Sequence, residues 1–69
     1  MNISEALEII HSTNIHILGK SKASSATSIT ISSLIFDLEQ TGAVTAARIE
    51  NALIEEAEFC LKCLQKEAA

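Results

Sequence analysis

Proline, tryptophan and tyrosine are absent from this 69-residue chain, and glycine and phenylalanine occur only twice each. The hydrophobic residues, 48% of the total, are therefore almost all aliphatic. That content suits the seams between helices better than a β-sandwich or barrel. Cysteine is equally scarce. Cys60 and Cys63 lie too close in sequence to staple distant segments, so the disulfide framework that supports many domains of this size is excluded. Five basic residues stand against nine acidic ones, for a formal net charge of −4. A scattered handful of cations does not displace the counterions of a nucleic-acid backbone, so no nucleic-acid partner is expected. No run approaches the roughly 18 consecutive apolar residues of a membrane span. Met1-Asn2-Ile3-Ser4-Glu5 also lacks the basic start and apolar run of a signal peptide. A cytoplasmic protein with reduced thiols and no membrane contact is expected.

The residues that are present predict an all-α fold in one domain over residues 1–69, built on an antiparallel helical hairpin preceded by an N-terminal helix or arm over residues 1–21. Asn2 followed by Glu5 has the form of a capping box, and Ile3, Leu7, Ile10 and Ile17 fall near one helical stripe. Thr13-Asn14-Ile15-His16-Ile17-Leu18 alternates like a short strand, so the spacing predicts a helix from Ser4 to about His11 and an irregular stretch ending at Gly19. Residues 22–40 are rich in Ser, Thr and Ile, which are poor helix formers. At 100° per residue, however, Ala23, Thr27, Ile31, Leu34, Ile35 and Leu38 share an arc of roughly 120°. As a strand, Leu34-Ile35-Phe36 would put apolar groups on both faces. Gln40-Thr41-Gly42-Ala43 reads as the turn, with Thr41 or Thr45 available to cap the next helix. Residues 45–66 are Ala-, Glu- and Leu-rich, with Lys62 and Lys66 near the end where they suit the helix dipole.

The two hairpin helices carry more apolar surface than they can bury against each other. Ile29 and Phe36 lie opposite the seam of their helix, with Ser32 beside them. On the next helix Ile54 and Leu61 extend the apolar arc on one side and Phe59 on the other, far past the stripe of a little over 100° that one neighbour needs. These residues are expected to form an interface, either the core of a homodimeric four-helix bundle or a docking surface for another protein. Glu56 falls in the middle of the same arc. A buried unpaired carboxylate is costly, so it is expected to pair with Lys20, Lys22 or a histidine, or to take part in recognising a partner.

Motifs that resemble catalytic or metal sites lack their context. Cys60-Leu61-Lys62-Cys63 has the spacing of a metal knuckle or a redox pair, but zinc would need His11 and His16 from the N-terminal arm. A helix C-terminus also raises a thiol pKa rather than lowering it. Gly19-Lys20-Ser21 echoes the end of a phosphate loop without the earlier glycine or a βα unit. No paired carboxylates or Ser-His-Asp set is present, so no enzyme activity, cofactor, metal or small-molecule substrate is expected. A helix-turn-helix reader would have to present Glu50, Glu55 and Glu58 to phosphate.

Ser24-Ser25-Ala26 through Phe36-Asp37-Leu38-Glu39, a short turn, then Ala52-Leu53 and Ala57-Glu58 resembles small pseudomonad proteins of unknown function that form Ser/Ala-rich helical hairpins. The likeness covers roughly residues 23–64. In size, acidity and two-faced design the chain also resembles phage-encoded anti-host proteins, anti-quorum-sensing proteins among them. That resemblance implies a protein-binding regulator that inhibits a bacterial host protein, such as a transcriptional regulator, by stoichiometric binding. The alternatives are a structural or assembly subunit, a chaperone-like adaptor, or, more remotely, a DNA-binding regulator.

Overall fold

The structure, a computed structural model, describes residues 1–68, which form three helices: α1 (Ile3–Leu18), α2 (Lys20–Gln40) and α3 (Ala46–Ala68). No strand occurs among the described residues.

Asn2 starts α1 from an extended backbone, its side-chain oxygen accepting the Glu5 N–H at 2.9 Å. This satisfies one of the donors that a helix start leaves open. The helix then runs through the stretch expected to be irregular. Thr13 and Ile17 continue the line set by Ala6 and Ile10, so the same residues that alternate like a strand also keep helical register. Thr13 is buried, and its hydroxyl donates to the Ile9 carbonyl at 2.7 Å, which removes the cost of burying it.

Gly19 alone joins α1 to α2. Its N–H closes α1 on the Ile15 carbonyl, and its own carbonyl accepts from the Lys22 and Ala23 N–H groups to open α2. The second helix therefore begins two residues before the expected Lys22. One residue can serve both helices because it sits at φ 87°, ψ 162°, a backbone region that only glycine occupies freely.

Thr41 to Thr45 form the second connection, with Thr45 accepting the Arg48 N–H as the cap of α3. Arg48 folds back over this turn and donates to the Leu38 carbonyl at 3.3 Å, to the Ala43 carbonyl and to the Thr41 hydroxyl at 2.6 Å. It ties the end of α2 to the start of α3.

Helix α1 packs against both others, whereas α2 and α3 touch each other much less. The α2–α3 hairpin expected at the centre of the fold is therefore not its packing unit; α1 supplies the central element. Ile9 lies near Leu61, and His16 meets Glu67 at 3.2 Å, so α1 and α3 run parallel, with α2 antiparallel to both. The buried cluster is Ala6, Ile10, Leu53 and Ala57, with Ile31 and Leu34 of α2 against it. Three of the five buried apolar residues among those described are alanines, so the helices approach closely around a small core.

Candidate functional site

The apolar side chains left outside this core define the candidate surfaces. Ala23 is buried and Thr27, Ile31, Leu34, Ile35 and Leu38 are half-buried, so the seam of α2 faces inward. This turns the opposite face of α2 to solvent. Ile29 is 66% and Phe36 60% exposed, and with Ser28, Ser32, Ser33 and Asp37 they line a shallow groove along one side of the helix. No charged residue occurs between Ala23 and Phe36. Of the residues expected to form an interface, Ile29, Ser32 and Phe36 are brought together here.

A second groove runs between α1 and α3. Ile9, Leu61 and Leu64 give it an apolar floor, and Glu5, Glu8 and Ser12 supply its polar edge. Leu61 stands 38% exposed in it, while Ile54, about two turns earlier on the same helix, is partly buried against the core. Glu5, Glu8 and Ile9 already fall inside the helix expected from Ser4 to about His11, but Ile9 lies off the stripe of Ile3, Leu7, Ile10 and Ile17, so nothing in the spacing joins it to Leu61. Phe59 lies on the other edge of α3, 61% exposed and in neither groove. Both aromatic residues of the chain thus stand on its surface.

Glu56 is half-buried, and neither Lys20, Lys22 nor a histidine pairs with it; among the described residues the one carboxylate within reach of a basic side chain is Glu67, beside His16. No buried side-chain polar atom among the described residues lacks a partner, so the Glu56 carboxylate keeps contact with water. Its neighbour Cys60 is a free thiol whose pKa is pushed up, first by burial and then by the Glu56 charge. A hydrogen bond with Thr13 opposes the shift, and Cys63 adds to it. A raised thiol pKa lowers the thiolate fraction at neutral pH, the reverse of what nucleophilic or redox chemistry requires.

His11 sits in a different network. Its Nδ1 lies 3.1 Å from the Thr27 hydroxyl, which also accepts from the Asn14 amide at 2.9 Å. No group of three or more His, Cys, Asp or Glu residues is placed to hold a metal ion among the described residues. Nor is any helix among them long and apolar enough to cross a membrane. The surface offers two apolar grooves with different edges, one nearly free of charge and one acidic.

No protein-family model matches the chain, and no curated protein or solved structure is similar enough to indicate a relationship.

Proposed function

We propose that this protein is a small non-catalytic regulator that acts by binding another protein, and that it inhibits a bacterial host protein, such as a transcriptional regulator, by occupying one of its surfaces. The observation that carries this reading is the inverted placement of its largest side chains. Both phenylalanines, Ile29 and, in the α1–α3 groove, Leu61 stand exposed around a core that, among the described residues, is built of alanine, one isoleucine and one leucine. Large apolar groups in solvent cost free energy, and contiguous patches of them mark interaction surfaces. Aromatic residues are also the commonest anchors of protein interfaces.

The acidic groove between α1 and α3 is the surface that receives the partner in this reading. Its floor of Ile9, Leu61 and Leu64 takes an apolar anchor, and Glu5 and Glu8 complement basic residues beside that anchor. A basic amphipathic helix has this chemistry.

The test is affinity capture from a bacterial lysate with the wild type beside Leu61→Glu and Phe59→Glu. One host protein retained in a fixed ratio by the wild type and lost from Leu61→Glu is the expected result. A folded wild type that retains no specific protein sinks the proposal, and loss from Phe59→Glu alone moves the docking surface to the other edge of α3.

A further inference from the structure

The outer face of α2 differs from the rest of the molecule in charge. Exposed carboxylates stand on α1 at Glu5 and Glu8 and on α3 at Glu50, Glu55 and Glu58, whereas α2 is uncharged from Ala23 to Phe36. Two copies of a chain with a net charge of −4 repel each other across most orientations. They approach most easily through the outer face of α2, where carboxylates are confined to the end of the helix. The charges at the ends of α2 then fix the direction. Lys20 and Lys22 open the helix, and Asp37 and Glu39 lie near its close. Antiparallel pairing sets the basic end of each copy beside the acidic end of the other, while parallel pairing sets like beside like.

Side-chain size supports one register. With Lys22 opposite Glu39 of a second copy, Phe36 falls over Ser25 of that copy and Ile29 over its Ser32, so both large side chains meet small ones. An interface at the lower end of what a specific association needs, about 1,000 Å² in total, takes roughly 500 Å² from each copy's exposed 4744 Å².

We infer that a second copy of this chain docks antiparallel on the outer face of α2, with Phe36 of each copy seated over Ser25 of the other and Lys22 beside Glu39. The inference refines the protein-binding reading by giving this face to self-association and leaving the α1–α3 groove to a different partner. Its test uses purified protein alone, so its failure is separable from failure to find a host target.

Sedimentation equilibrium from about 1 to 500 µM, the range in which an interface this small dissociates, measures the association. The wild type is expected to dimerise. Phe36→Glu is expected to be monomeric with unchanged helical circular dichroism, because Phe36 contributes no buried contact to the three-helix core. Lys22→Glu and Glu39→Lys are each expected to weaken the dimer about threefold to tenfold, as exposed ion pairs do. The double variant restores it. Within one chain these residues are 17 positions apart on α2, roughly 26 Å of helix, so restoration reports a contact between antiparallel copies. A wild type that stays monomeric throughout the range overturns the inference. So does a dimer indifferent to Phe36→Glu, or a charge swap that fails to recover what either single change lost.

Discussion

The Thr27 hydroxyl donates to the Ala23 carbonyl at 2.9 Å, which leaves its lone pairs for the Asn14 amide and the His11 ring. With its one proton already committed, it meets His11 as an acceptor, and His11 presents Nδ1–H. A single half-buried oxygen thus ties α1 to α2 at mid-height. Thr27→Val keeps the shape and removes the oxygen, leaving two donors without their acceptor. A loss of about 1–2 kcal/mol is expected, seen as a melting temperature lower by roughly 5–10 °C, while Thr27→Ser keeps most of the stability. Equal melting of the Thr27→Val variant and the wild type would show that water replaces the oxygen at no cost.

Cys60 makes the second residue-scale case. Burial and the neighbouring Glu56 carboxylate both disfavour its thiolate. Iodoacetamide is expected to alkylate it more slowly than a small free thiol at pH 8, and Glu56→Gln to speed the reaction a few-fold by removing the negative charge. The folded protein holds this proton more tightly than the unfolded chain does, so the protonated thiol contributes a small stabilisation. The stabilisation is complete below the ordinary thiol pKa of about 8.5 and is lost as pH rises through the higher folded value. Mass-resolved alkylation of a Cys63→Ser variant reads Cys60 alone, and a rate unaffected by Glu56→Gln contradicts the electrostatic cause.

At the scale of elements, the joint between α1 and α2 is one glycine wide. A Cβ at Gly19 would meet nothing within 4 Å, yet the backbone there stands at φ 87° and ψ 162°. Gly19→Ala therefore tests conformation without a steric clash, and it is expected to cost about 1–3 kcal/mol in urea unfolding. An unchanged midpoint would mean that the joint relaxes freely. This joint also divides the parts of the fold that the sequence reveals from those it hides. Helix α3 is legible from its Ala, Glu and Leu content, and α2 from the period of Ala23, Thr27, Ile31, Leu34 and Leu38 despite unfavourable propensities. The exposed pair Ile29 and Phe36 follows from the same period, because a helix with one inward seam must turn the opposite positions out. The second half of α1 resists because period two and period 3.6 coincide over Thr13 to Leu18. Its central position is hidden for a different reason. The residues that α1 buries include Ala6 and Thr13, whose small or polar side chains give no hydrophobic signal. The groove of Ile9, Leu61 and Leu64 inherits that obscurity, since half of it stands on α1.

For the whole molecule, the small core sets the question of how much stability one chain has alone. Ile10 is the one large side chain fully buried among the described residues, and a domain of this size is marginal on a single core. An antiparallel partner on α2 would add stability by mass action, about 1.6 kcal/mol per chain once total protein is a hundredfold above the dissociation constant, because free monomer is then only about sevenfold above it. The melting temperature of the wild type is then expected to rise by several degrees as protein concentration is raised about a hundredfold. Phe36→Glu is expected to melt at one temperature throughout, close to that of the dilute wild type. The comparison separates two sources of stability that a single melt confounds, because the core of Ala6, Ile10, Leu53 and Ala57 does not depend on concentration and an interface between copies does. A concentration-independent wild type that matches Phe36→Glu at every point would show that the three helices hold themselves, and that Ile29 and Phe36 are covered by something other than a second copy.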